Sequence, residues 1–286
     1  YRTCSIADHT LDDANLETRC PLDDGQYGNN PRYTIGTLDE LPSEIIINVL
    51  LRLDVPTLTL LRRVNRRAMA IVSSLYPYRM IRQYCPDVLR AVISLNASSY
   101  DYQTLWDALP VCSKCDGCDL FGSYLYIVTG KRVCYLCFTS GWKYIPTMPP
   151  MAWDAGLSQD AVGELPSVLS LPGLYTQSRD QSFNRIVLID RQAAVDYDVL
   201  LGQQRLQARR FMAVISAPFF RSCAGQPPAV DWGVFCGTCR DKMDPDDMYF
   251  RIKYTMDQVA HHAQQHEGSK TKDQVSQLPE LDQASF

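Results

Sequence analysis

Leu38-Asp-Glu-Leu-Pro-Ser-Glu-Ile-Ile-Ile-Asn-Val-Leu-Leu-Arg-Leu53, continued by Asp54-Val-Pro-Thr-Leu-Thr-Leu-Leu-Arg-Arg-Val64, decides how the first part of the chain folds. Pro42 suits a first helical position, where its missing N–H has no intrahelical partner anyway. Glu44 then lies in the first turn, at the positive end of the helix dipole. Ile46, Leu50 and Leu53 line one face, Ile45 and Val49 lie beside it, and Ile47 and Leu51 point elsewhere. A surface helix needs a single apolar stripe, so this one needs neighbours on more than one side. Asp54-Val-Pro-Thr57 breaks the helix and restarts it. The second helix carries Leu58, Leu60, Leu61 and Val64, and a third offers Ala68, Ile71, Val72 and Leu75. Three short helices with this much apolar surface leave a surplus, which suits a partner surface. The same pattern also suits a hairpin buried under the rest of the protein.

On either side of this module the composition changes. Residues 1–34 are rich in Asp, Asn, Thr, Gly and Pro without apolar periodicity, and are read as a flexible lead-in. The helical module spans 35–82, a mixed body spans 86–267, and 268–286 read as a disordered tail. Within the body, helix is expected over Pro86–Leu109, about Ala193–Met212 and about Met256–His266, with strands at Tyr124–Val128 and Arg185–Asp190. The expected class is therefore α+β: a three-helix N-terminal module followed by a loop-rich, metal-stapled domain. Of the 286 residues, 46% are hydrophobic, enough for a sizeable core, and the net charge of −4 disfavours nucleic acid and anionic membranes as partners. No apolar run approaches the ~20 residues of a membrane span. The chain opens at Tyr1 rather than Met and is read as a fragment.

Eleven cysteines, an odd number, do not suit a closed disulfide framework. Six fall in three CxxC pairs: Cys115/Cys118, Cys134/Cys137 and Cys236/Cys239. Fifteen residues separate Cys118 from Cys134. Two CxxC turns joined by a short strand-containing loop present four thiolates tetrahedrally, the closed geometry of structural zinc. Cys112 makes Cys112/Cys115 an equally good first pair, while Lys131 and Arg132 stand ready to offset thiolate charge. Thiolates on metal imply a reducing intracellular compartment, cytoplasm or nucleus.

A second candidate lies near the C-terminus. His262 and His266 are four apart and share a helix face. With Cys236 and Cys239, the latter separated from His262 by 22 residues, they complete a Cys2His2 set for a second structural zinc. His261 fits the same role by a one-residue shift.

The run from Leu38-Asp-Glu-Leu-Pro through Leu53-Asp-Val-Pro-Thr-Leu to Leu61-Arg-Arg-Val-Asn-Arg-Arg resembles the F-box motif over about 45 residues. That resemblance implies docking on the linker subunit of an SCF-type ubiquitin ligase, and through it on a cullin. It places Leu41, Pro42, Ile46, Leu50, Leu53, Leu58, Leu61 and Val64 toward the linker. Cys118-Asp-Leu-Phe-Gly, Lys131-Arg-Val-Cys-Tyr-Leu-Cys, Ser170-Leu-Pro-Gly-Leu-Tyr-Thr and Tyr254-Thr-Met-Asp-Gln-Val resemble zinc-binding F-box proteins of filamentous fungi. In those proteins the first pair directly precedes the Phe-Gly step, which selects Cys115 and Cys118 over Cys112. They commonly end the last motif in cysteine, where this chain has His266.

No P-loop, GxSxG, HExxH or dinucleotide glycine fingerprint occurs, and two four-ligand zinc sites leave no open coordination position. The expectation is a non-enzymatic substrate adaptor whose substrate protein the sequence does not identify. The rival is a zinc-binding protein-interaction or transcriptional regulatory protein outside ubiquitination. A basic, aromatic-studded face would favour it, but Arg62–Arg67 is the only basic cluster along the sequence.

Overall fold

The computed structural model describes residues 3–23, 33–111, 113–195, 207–221, 228–241 and 248–268. In chain order the elements begin with β1 (Thr3–Cys4) and α1 (Leu16–Arg19), then the helices α2 (Ser43–Leu51), α3 (Val55–Arg62), α4 (Arg66–Ser74), α5 (Tyr76–Tyr84), α6 (Pro86–Ser94) and α7 (Tyr102–Asp107). The hairpin β2 (Tyr124–Tyr126) and β3 (Lys131–Val133) leads into α8 (Tyr135–Ser140), α9 (Pro149–Asp154) and α10 (Gln159–Glu164). Next come β4 (Ser167–Leu169), β5 (Gly173–Tyr175), β6 (Asp180–Ser182), β7 (Val187–Ile189), α11 (Arg191–Val195) and α12 (Gln207–Met212). The chain continues through β8 (Val214–Ser216), β9 (Phe219–Arg221), β10 (Ala229–Asp231), β11 (Val234–Cys236), α13 (Gly237–Asp241), β12 (Lys253–Tyr254) and α14 (Met256–Gly268).

Local chemistry starts several of these helices. The Asp54 carboxylate caps α3 by accepting from Thr57 N at 2.8 Å, and Pro56 fixes the first turn. Asn65 caps α4 through Ala68 N, and Asp101 caps α7 through Thr104 N, both at 2.8 Å. Pro42 stands one residue earlier than expected, at the cap of α2, where its carbonyl accepts from Ile45 N and Ile46 N.

The sheets are small and antiparallel. The central one runs β3-β2-β8, and β2 is buried at all three residues, as a strand covered on both faces must be. Gly130 closes its hairpin at φ +72°, and a Cβ there would stand 3.1 Å from the Tyr100 ring. A second sheet, β1-β11-β12, carries Cys236 at the end of β11 and leads into α13, which carries Cys239. One continuous core joins Ile46, Leu50, Val55 and Leu58 of the helical module to Val88, Leu89, Leu105 and Tyr124 of the body. Tyr102 N donates to Leu53 O at 2.8 Å across the same boundary.

The flexible lead-in expected for 1–34 is corrected over 3–23. There β1 pairs with β11, and Leu11, Ala14 and Leu16 enter the core. The polar residues of this segment are partnered rather than solvated. Asp12 accepts from Ser216 N at 3.0 Å, and Asp23 forms a two-point ion pair with buried Arg62. Three apolar side chains are too few to show a period, so composition alone reads as loop. Residues 24–32 and the tail 269–286 lie outside the described residues. The helix expected over Ala193–Met212 is described at its two ends, as α11 and α12; 196–206 lie outside the description.

Candidate functional site

The first cluster forms where the knuckle Cys115–Cys118 meets the junction of β3 and α8. Cys115 N donates to Leu120 O at 2.8 Å, closing the knuckle, and Asp116 N donates to Arg132 O at 2.8 Å, tying it to β3. Cys134 caps α8, its sulfur accepting from Cys137 N at 3.4 Å, while Gly117 N donates to the Cys115 sulfur at 3.3 Å. The four sulfurs of Cys115, Cys118, Cys134 and Cys137 lie within 4.8 Å of one another, and those of Cys118 and Cys134 are 3.7 Å apart. A Cβ on Gly117 would come within 3.0 Å of both the Cys137 sulfur and the Tyr144 hydroxyl, so the backbone approach depends on glycine.

Hydrogen bonds from the other three sulfurs hold Cys115 well below the usual thiol range, and hydrogen bonding with Cys115 pushes Cys134 and Cys137 up. Cys118 is lowered as well, so the four sulfurs divide into two that favour the thiolate and two that favour the thiol, because four thiolates this close repel one another. A divalent cation among them removes that repulsion. Four soft donors, backbone N–H groups aimed at sulfur and burial of three of the four cysteines fit a closed tetrahedral metal site.

The neighbouring cations brace the segment that carries the site. Arg132 is buried and donates to the backbone carbonyls of Ala108, Gly122, Ala217 and Pro218, which fixes β3 against the end of α7 and the β8–β9 turn. Lys131 pairs with Asp116 at 3.2 Å. Cys112 lies outside the described residues.

The second cluster brings Cys236, at the end of β11, and Cys239, on α13, to His262 on α14, again within 4.8 Å. The Cys239 sulfur is 3.1 Å from His262 Nε2, and Tyr254 stacks on the His262 ring at 4.3 Å and 17°. His262, not exposed His261, is the ring that meets the cysteines. Position 266 follows one turn later on α14; the His266 side chain lies outside the described residues. Because Thr3 pairs with Cys236 and Cys4 with Phe235, Cys4 stands on the opposite face of the sheet from the metal-competent group.

Sequence reasoning missed what holds this second cluster in place. Asp8 is buried and accepts from the Tyr124 hydroxyl, from Arg251 at 3.0 Å and faces Lys253 at 3.8 Å. Burial raises its carboxyl, and the Lys253 and Arg251 charges oppose the rise. Lys253 also lies over the Tyr124 ring and Arg251 over the Tyr135 ring, each at 4.8 Å. Arg251 and Lys253 are more than 240 residues from Asp8 in sequence, and Tyr124 is 116 away, so no local pattern announces them.

The candidate docking residues divide. Leu41, Pro42 and Val64 are exposed, and Leu53 and Leu61 are half-buried. Ile46, Leu50 and Leu58, expected toward the linker, are instead buried in the protein's own core. The cause is the i, i+4 stripe of α2, which packs over Leu61, Ala68, Ile71 and Val72. The face left outside is the neighbouring one. Ile45 and Val49 are each 46% exposed, Leu60 64% and Val64 68%. Ile45, Asn48, Val49, Arg52 and Leu53 line an open depression there. The basic run does not form one face, since Arg62 turns inward and Arg67 pairs with Asp39 at 3.0 Å.

Residues 38–80 match the F-box domain family. No curated protein and no solved structure matches the chain. F-box domains typically dock on the linker subunit of SCF-type ubiquitin ligases and are generally adaptors rather than enzymes. No helix among the described residues is long and apolar enough to cross a membrane.

Proposed function

We propose that this chain is a non-catalytic substrate adaptor of an SCF-type ubiquitin ligase. Its F-box docks on the linker subunit, which connects it to a cullin, and its body carries two structural zinc ions. The observation that carries docking is the exposed apolar set Ile45, Val49, Leu60 and Val64 inside the matched domain. Covering one such side chain contributes roughly 1.5–3 kcal/mol, so a few of them supply specific binding. Zinc is favoured in the first site by four thiols and in the second by a Cys-Cys-His group, with His266 as the fourth donor. Coordinated thiolates suit a reducing compartment, cytoplasm or nucleus.

The test is co-purification with the linker subunit. Val49→Asp and Ile45→Asp put charges on the exposed face without touching the core, and each should weaken linker binding more than tenfold at unchanged circular dichroism. Leu41→Ala with Pro42→Ala should act in the same direction. Binding that survives all of these changes sinks the docking assignment. Metal analysis should return about two zinc per chain.

A further inference from the structure

Among the charged residues of 38–80, Arg62 alone is buried. It is the last residue of α3, and its guanidinium is gripped by several elements at once. Nε donates to the Ser73 hydroxyl on α4 at 3.2 Å, and the guanidinium carbon lies 5.8 Å from the centre of the Tyr78 ring on α5. Nη1 and Nη2 donate to the two carboxylate oxygens of Asp23, at 2.6 and 2.5 Å. This two-point fork is the strong form of the arginine–carboxylate pair. Ser73 and Tyr78 lie within the matched domain, whereas Asp23 lies upstream of it.

Asp23 is itself fixed. Arg82, on α5, donates to its carbonyl at 3.2 Å. The segment leading to it is held along its length. β1 pairs with β11, Asp8 meets Arg251, and Leu11 and Leu16 enter the core. Arg19 donates to Ala14 O and Pro172 O at 2.7 and 2.9 Å. The carboxylate is thus presented by a segment anchored in the body. On the other side of the pair is the exposed apolar face. Arg63 N donates to Leu60 O and Val64 N to Leu61 O, both at 3.0 Å, so the turn that carries exposed Leu60 and Val64 closes around Arg62.

We propose that Asp23 is a positioning residue for linker docking, so that the N-terminal segment completes the F-box from outside its matched limits. The inference rests on the docking reading given above. A buried guanidinium deprived of its carboxylate must regain water or distort what surrounds it. Because Arg62 ends its helix, it reaches water by unwinding the last turn of α3, and that turn carries Leu60 and Val64. Asp23 therefore acts through Arg62 on the shape of the apolar face and need not touch the partner.

The test measures linker affinity by calorimetry on the full chain as purified, and amide hydrogen exchange on the same samples. Both are read at a temperature where each variant keeps the parent's near-ultraviolet circular dichroism. Asp23→Ala should weaken linker binding about tenfold, within the range for residues sharing one hydrogen-bond network. It should also speed exchange at Arg63 and Val64 more than in α6. Asp23→Glu keeps the charge and should recover most of both. Arg62→Met removes the charge that needs a partner, so Asp23→Ala added to Arg62→Met should weaken binding no further. Should Asp23→Ala fail to fold, Asp23→Asn, which keeps an acceptor, carries the same test with a smaller loss. A lowered thermal midpoint with parental affinity and parental exchange at Arg63 and Val64 overturns the inference. So does an equal loss of binding from Asp23→Ala in the Arg62→Met background. A parent chain that does not bind the linker brings down the docking reading and this inference together; a parent that binds, with Asp23→Ala binding equally well, brings down the inference alone.

Discussion

The two cysteine clusters use the same local device and are held by opposite means. In the first, both CxxC pairs come from one stretch, 115–137, folded as a knuckle, a hairpin and a helix start. In the second, Cys236 and Cys239 come from β11 and α13, the imidazole comes from α14, and the scaffold is completed by β1 from the far end of the chain. The first sits inside the main core, where Cys115, Cys134 and Cys137 count among the buried residues. The second is fastened from outside by an N-terminal strap whose Asp8 is clamped between Arg251 and Lys253. A metal site made from local sequence can form early and serve as a nucleus. One made from both chain ends must wait for the rest of the fold.

The largest expected effect follows from that contrast. Cys134→Ser removes a proposed zinc ligand while its hydroxyl keeps an acceptor at the helix cap, so the loss reads the metal rather than the start of α8. Structural zinc contributes on the order of 10 kcal/mol of apparent binding free energy, comparable with the whole stability of a domain, about 5–15 kcal/mol. The variant should lose one zinc, the cooperative thermal transition and most near-ultraviolet circular dichroism. A variant that keeps a cooperative transition within a few degrees of the parent would show that the first cluster is ornamental to the fold, and the contrast would collapse.

Next is the strap. Asp8→Ala leaves Arg251 and Lys253 buried without their counter-charge, a loss of roughly 3–5 kcal/mol for a broken buried pair. Asp8→Asn should cost less, because the amide keeps an acceptor for one of the two cations. Both should speed zinc release from the second site in a chelator competition, and leave release from the first unchanged. Equal acceleration at the two sites would mean that the strap steadies the whole core and not the C-terminal sheet.

Legibility divides along the same line. Cys115, Cys118, Cys134 and Cys137 can be read directly because each pair is local and the loop between them is short. Cys236 and Cys239 are legible for the same reason, and α14 brings His262 to them because a long helix carries its face in its period. The strap is illegible: Asp8 and Arg251 bear no sequence relation, and Leu11 and Leu16 look like scattered apolar residues in a polar segment. The F-box-matching helical module falls between these cases. Its helices follow from Pro42, Asp54 and Asn65, but α2 is apolar nearly all round, so periodicity alone does not say that Ile46 and Leu50 face inward while Ile45 and Val49 face out. The choice is made by α4 and by α6 and α7, which the module packs against.

A smaller loss is expected at the ligands of the second cluster. His262→Ala should lower the zinc content from about two to about one per chain and keep a cooperative transition, since the main core and the first site are untouched. The destabilisation should be smaller than that of Cys134→Ser and confined to the C-terminal sheet, read as a lowered midpoint with cooperativity kept. His266→Ala should match it if that ring is the fourth donor. Zinc retained in His266→Ala and lost in His262→Ala would assign the fourth position to another group.

The smallest effects are the sharpest on register. Cys112→Ser and His261→Ala alter the two residues that compete on spacing alone for a place in the clusters. The knuckle is closed by Cys115 N on Leu120 O and by Gly117 N on the Cys115 sulfur, a geometry that uses Cys115 and Cys118 as the pair. On α14 a one-residue shift turns a side chain by about 100°, which carries position 261 away from the cysteines that His262 meets. Both variants should therefore keep two zinc per chain and change stability by less than about 0.5 kcal/mol. Loss of one zinc equivalent in Cys112→Ser would move the first site by three residues and detach it from the Gly117 contact. The same loss in His261→Ala would require α14 to rotate in the loaded protein, which the stacking of Tyr254 on His262 opposes.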